Sequence, residues 1–412
     1  MSNIYRTTIL FVLVMLVASC AAPGTATPTP SVLPEVKIAR HPEPVDISDY
    51  LELTSIPKFD PNSTDPWQVD LRSRNLTKID MTASLPDLMY ADFDSKTQWP
   101  EANKLPDGFD WQKIMENGKD PGLGMRVLHD QGVTGKGIGI AIIDQTLLVD
   151  HIEYKDRIRV YEEAEDITGD WQKVQMHGPA VASIAVGRTI GVAPEADLYF
   201  IATAICSQGT YESNDFACLA KSIRQIIEIN KSLPAERKIR VLSISVGWDP
   251  KSKGYAEVMV AVNEAKAAGI FLISTSLSET DGLNFLGLGR EPRSDPNEFK
   301  SYQPGLGWQK YFYSDGLPVK ALLVPMDART IASPTGPEDY AYNRQGGLSW
   351  CVPYLAGMYA LAAQVKPDIT PKEFWSTALK TGRTIQLQHA GKDYEFGVIL
   401  DPQALIEAIK NK

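Results

Sequence analysis

The chain has 412 residues, enough for one large domain or two smaller ones. Its 43% hydrophobic and 22% charged residues are ordinary for a globular protein. A formal net charge of −10 provides no basic footprint for nucleic acid, and four cysteines are too few for a disulfide scaffold.

Residues 1–19 read as a leader rather than as fold. Arg6 precedes an apolar run from Ile9 to Ala18, too short for a membrane span and suited to a signal peptide. Val17-Ala18-Ser19-Cys20 resembles the bacterial lipobox, in which the cysteine becomes a lipidated N-terminus; a plain secretory signal is the alternative. The expected location is the extracellular face of the cell membrane, lipid-anchored at Cys20, or secreted. Residues 20–37, rich in Pro, Thr, Ala and Gly, read as a flexible tether. Residues 38–110 are interrupted by Pro57, Pro61, Pro66, Pro86, Pro100 and Pro106 and read as an accessory region without an assignable role. No later apolar stretch is expected to span a membrane.

From Trp111 to the end, residues 111–412, the pattern becomes an alternation of strands and helices. Gly137–Ile143, Ala196–Ala202, Val241–Val246 and Ile270–Ser274 are largely apolar and predict strands buried on both faces. Leu219–Ile229 and Ala256–Ala268 have helical spacing, and Val352–Val365 is apolar all round, which predicts a buried helix. Thr370-Pro371-Lys372-Glu373 is a capping box with Pro at the first helical position. The expected fold is a three-layer α/β/α domain with a mostly parallel sheet.

Three residues in this frame carry chemistry. Asp144 follows an apolar strand, where it is either a helix cap, a cation ligand or a carboxylate facing the crevice at the strand's carboxyl end. His177, one of five histidines, precedes Gly178 and a run of small residues. It is either a satisfied structural histidine or a base at a helix N-terminus, where the dipole favours the neutral ring. Ser349 follows Gly346-Gly347 and opens the apolar helix, either as an N-cap or as a nucleophile beside free backbone N–H groups. Together, in the order Asp, His, Ser, they are an orienting carboxylate, a general base and a nucleophile.

On these residues the chain resembles the subtilases, the subtilisin-like serine peptidases. Gly132-Val133-Thr134-Gly135-Lys136-Gly137 leading to Asp144, with His151 after it, is similar to the family's first block. His177-Gly178 through Gly187, then Gly191-Val192-Ala193-Pro194, is similar to the histidine block. Ser245-Val246-Gly247 resembles the substrate-binding edge, Gly347-Leu348-Ser349 with Pro353, Ala356 and Gly357 the serine block, and Phe396-Gly397 through Asp401 the last strand and turn. The resemblance runs from Leu123 to Ile409. It implies a subtilisin-like fold, catalytic roles for Asp144, His177 and Ser349, a protein or peptide substrate, and no required metal or organic cofactor. Structural calcium occurs in the family, and no ligand cluster here demands it.

The chain also departs from the pattern. Gln145-Thr146 follows the acid where the family has Thr-Gly, and Leu348 replaces the usual threonine. In the register of Gly269–Ile273, the oxyanion asparagine falls on Ser278 and its preceding glycine on Leu277. Ser278 is the expected second oxyanion donor, or an ordinary loop serine; Asn284, nearby in sequence, is a further candidate from the loop. Cys206 and Cys218 are either a disulfide or two thiols, and Cys351 reads as a small core residue. Two functions follow: a tethered serine endopeptidase, or a catalytically impaired pseudoprotease acting as a peptide-binding scaffold. A lipase fits poorly, because Gly347-Leu348-Ser349-Trp350-Cys351 lacks the closing glycine of a nucleophile elbow.

Overall fold

The computed structural model describes residues 35–47, 51–63, 65–204, 215–317 and 320–411. All of them lie in the unit Pro34–Lys412. Cys20 and Cys206, and with them the leader and most of the tether, lie outside the described residues.

Six strands form the central sheet: β1 (Lys37–Ile38), β2 (Gly139–Asp144), β3 (Ile158–Glu163), β4 (Asp197–Ala202), β5 (Ile239–Ile244) and β6 (Phe271–Ser274). Their spatial order is β1–β3–β4–β2–β5–β6, and every pairing is parallel. Four of the six are the strands expected from apolar runs, and β2 ends on the acid itself. β1, with two residues, and β3, interrupted by Arg159 and ending in Glu162-Glu163, carry no such apolar run.

Five helices matter to the site: α1 (His177–Val186), α2 (Ala217–Ser232), α3 (Tyr255–Ala267), α4 (Leu277–Asp281) and α5 (Leu348–Val365). The alternation of strand side chains divides them into two layers. Ile140, Ile142, Val241, Phe271 and Ile273 pack in one core with residues of α1 and α5, such as Val181 and Leu355. Ala141, Ile143, Leu242, Ile244 and Leu272 pack in a second core with residues of α2 and α3, such as Ile223 and Val262. The architecture is therefore three layers, α/β/α. By length and composition α5 is apolar enough to cross a membrane, contrary to the expectation from the shorter run Val352–Val365. It is instead a core helix, buried along most of its length.

The N-terminal region joins the same unit. Val69–Asp70 and Ala91–Asp94 extend a four-stranded sheet with Tyr340–Asn343 and Arg329–Ala332. Val69, Leu71, Phe93 and Tyr342 belong to a separate small core beneath it. Near the end, the side chain of Thr370 accepts from the Glu373 amide and Pro371 opens a helix, as the capping box predicts.

Candidate active site

Asp144, Ser245 and Thr275 sit at or just past the carboxyl ends of β2, β5 and β6, the edge where open parallel sheets place their ligands. Asp144 is 1% exposed. Its Oδ1 accepts from the Gln145 amide at 2.8 Å and lies 2.6 Å from Nδ1 of His177. Its Oδ2 is buried and has no hydrogen-bond partner among the described residues.

His177 is the first residue of α1, and Gly178 explains its position. A Cβ at Gly178 would lie 2.2 Å from the Gln145 carbonyl oxygen, so only glycine lets the helix start against the end of β2. The imidazole keeps 17% of its surface exposed. Burial lowers its pKa, but the charge of Asp144 and the hydrogen bond to it raise it more, and the net direction is upward from 6.5. The helix-dipole argument anticipates the opposite direction; the facing carboxylate, at hydrogen-bond distance, outweighs the dipole. His151, the other histidine of the first blocks, is a structural residue. It is buried, its Nε2 meets the Asp339 carbonyl at 2.8 Å, and its ring stacks on Tyr154.

Ser349 is the second residue of α5, and the cap position belongs to Gly347. The helix carries Pro353 one turn on. Proline has no N–H, so the Ser349 carbonyl loses its helical partner. The Ser245 hydroxyl takes that place, donating to the Ser349 carbonyl at 3.0 Å. In return the Ser349 hydroxyl donates to the Ser245 carbonyl at 3.2 Å. Ser349 is thus clamped to the end of β5. No hydrogen bond joins its hydroxyl to His177 among the described residues. The two are linked through Trp350, whose ring centroid lies 5.5 Å from that of His177.

Two further residues shape this edge without a clear sequence signal. Asp327 is 2% exposed and holds the loop before the serine: its Oδ1 accepts from the Gly346 amide at 2.8 Å and its Oδ2 from the Leu306 amide at 2.7 Å. Gly346 is pressed against Met326, whose carbonyl oxygen would be 2.4 Å from a Cβ. Ser276 ties the end of β6 to the segment that follows β5, accepting from the Trp248 amide at 2.7 Å and donating to its carbonyl at 2.6 Å. Of the expected edge residues, Val246 accepts from the Thr275 amide at 3.3 Å, and Gly247 faces Thr275 and Ser276. Ser278 lies on the exposed side of α4, with no side-chain hydrogen bond to Ser349, His177 or Ser245.

Cys351 is free and fully buried, and burial pushes its thiol far up, so it behaves as a core residue. Cys218 is disulfide-bonded; its partner is outside the described residues.

Residues 135–297 match the family model described as Subtilase family. The match includes Asp144, His177 and Ser245–Gly247 and ends before Ser349. The serine protease AprX of Bacillus subtilis (strain 168) is 26% identical over 280 residues, covering 60% of this chain and 61% of AprX. The chain therefore spans about 61% of the length of that curated relative. Among solved structures, the prenylagaramide maturation protease PagA aligns with a TM-score of 0.47 at 17% identity, over 70% of this chain and 99% of PagA.

Proposed function

We propose that the chain is a subtilisin-like serine endopeptidase tethered outside the cell. One observation carries the reading. A 2.6 Å Asp144–His177 pair stands on the same sheet edge as Ser349, with the Trp350 ring resting against the imidazole. The match of residues 135–297 to the subtilase model supports serine peptidase chemistry.

In this reading Asp144 binds Nδ1–H of His177 and leaves Nε2 to act as base. The Ser349 hydroxyl turns about χ1 from the Ser245 carbonyl toward Nε2, a change between staggered wells. Ser349 Oγ then forms a bond to the peptide carbonyl carbon as its proton passes to Nε2. The C–N bond breaks, the proton goes to the leaving amine, and water releases the acyl group by the same steps. The substrate lies extended beside Ser245–Gly247 as an added strand.

The second reading, a peptide-binding pseudoprotease, is favoured by the Ser349 hydroxyl resting on the Ser245 carbonyl and by the missing asparagine. A fluorophosphonate probe separates the two. Labelling of the wild type that disappears in Ser349→Ala supports the peptidase; an unlabelled wild type supports the scaffold. For the tether, Cys20→Ala moves the protein from the membrane fraction to the soluble one. Retention of the variant in the membrane would overturn lipidation at Cys20.

A further inference from the structure

We infer that Thr275, rather than a residue of the helix that follows it, supplies the side-chain hydrogen bond to the oxyanion. The inference rests on the peptidase reading above. It starts from strand register. β6 pairs with β5 so that Ser274 faces Ile244, which puts Thr275 opposite Ser245. Phe271 and Ile273 point to the core shared with α5, while Leu272 points to the other. By alternation Thr275 is on the α5 side. Val241 places Ser245 on that side by the same count, and the Ser245 hydroxyl indeed reaches the Ser349 carbonyl. Thr275 and Ser245 are therefore neighbours on the face that carries Ser349, on strands about 4.8 Å apart.

The Thr275 hydroxyl is placed for a ligand. Its side chain is partly exposed, and no hydrogen bond occupies Oγ1 among the described residues. A Cβ at Gly247 would come within 2.5 Å of Oγ1, so the hydroxyl borders the bare backbone of the substrate edge. Ser278 lies outside this arrangement. The segment after β6 winds into α4, buries Leu277 and turns Ser278 toward solvent.

The step balances without proton transfer to threonine. As Ser349 Oγ bonds to the carbonyl carbon, the C=O π pair moves onto oxygen and the serine proton goes to His177. The oxyanion accepts hydrogen bonds from the Ser349 amide at the start of α5 and from Thr275 Oγ–H.

The test compares Thr275→Val, Thr275→Ser and Ser278→Ala in the full-length protein in detergent, with a peptide substrate. Val keeps the shape and removes the donor. Removing one oxyanion donor lowers kcat by on the order of 10²–10³-fold. We expect that loss in Thr275→Val with KM nearly unchanged, most activity kept in Thr275→Ser, and none lost in Ser278→Ala. A peptide boronic acid, which forms a tetrahedral anion on Ser349, should lose affinity in Thr275→Val in step with kcat, while a non-reactive peptide ligand binds as before. A purely structural threonine would weaken both ligands or neither. If Thr275→Val keeps kcat within about threefold, or Ser278→Ala loses as much, this inference is overturned while the peptidase reading stands. A wild type that neither cleaves nor takes the fluorophosphonate label overturns both.

Discussion

Two aspartates end or follow apolar strands in this chain and are buried to the same degree, yet they are held in opposite ways. Asp144, the last residue of β2, turns one oxygen to His177 Nδ1, and its other oxygen has no hydrogen-bond partner among the described residues. Asp327, just after the strand Leu322–Pro325, gives each oxygen to a backbone amide, those of Gly346 and Leu306. One carboxylate faces a group that can gain and lose a proton. Among the described residues the other hydrogen-bonds only to fixed backbone N–H donors, and burial raises its pKa to about 6 despite the Arg344 charge and those amides. An acid after an apolar strand is thus a sign of the functional edge and says nothing about its task; the partner decides whether it orients a base or anchors a loop.

Isosteric amides break the comparison in two places. Asp144→Asn presents the wrong group to Nδ1–H and favours the wrong imidazole tautomer, for which kcat falls about 10⁴-fold in triad enzymes with the fold intact. We expect that loss here, with a melting temperature close to wild type. Asp327→Asn can accept from only one of its two amides and turns a donor toward the other. The unmet buried group costs about 1–3 kcal/mol of stability. The loosened Gly346–Gly347 approach to Ser349 lowers kcat far less, on the order of tenfold per 1.4 kcal/mol withheld from the transition state. Peptide-cleavage kinetics beside thermal unfolding check both. Equal kcat losses, or a larger unfolding shift in Asp144→Asn, would erase the distinction.

Much of the sheet and the first half of the site were legible because the signals are local. β2, β4, β5 and β6 are largely apolar runs, and Gly178 after a histidine marks a close approach that the backbone confirms. At Ser349 the cap position falls to Gly347, and the Ser245 clamp opposite Pro353 joins residues 104 positions apart, which no local pattern signals. Long-range pairing was not legible. Val69–Asp70 has two residues and Ala91–Asp94 four, too few for an alternation; the first pairs with the second, and the second with the distant strand Tyr340–Asn343. In the register of Gly269–Ile273 the segment after β6 carries the oxyanion position onto Ser278. Its winding into α4, with Leu277 as the buried residue, turns Ser278 to solvent and leaves Thr275 at the end of β6.

The smallest effect sharpens the comparison through pH. In the peptidase reading His177 must be neutral to accept the Ser349 proton, and its pKa is raised from 6.5 because Asp144 outweighs burial. Plotted against pH, kcat/KM should therefore fall on the acid side with a midpoint above 6.5. Stability runs the other way. A folded-state pKa raised above the unfolded value means that the imidazolium–Asp144 pair contributes fully below about pH 6.5 and is lost as pH rises through the folded value. The melting-temperature gap between wild type and His177→Gln should accordingly be wider at acid pH than at alkaline pH. Asp327→Asn provides the contrast: with no titrating partner of His177 disturbed, it should leave the kcat/KM midpoint in place while lowering the plateau. A midpoint at or below 6.5 in the wild type would mean that Asp144 does not hold the imidazole as the 2.6 Å contact implies.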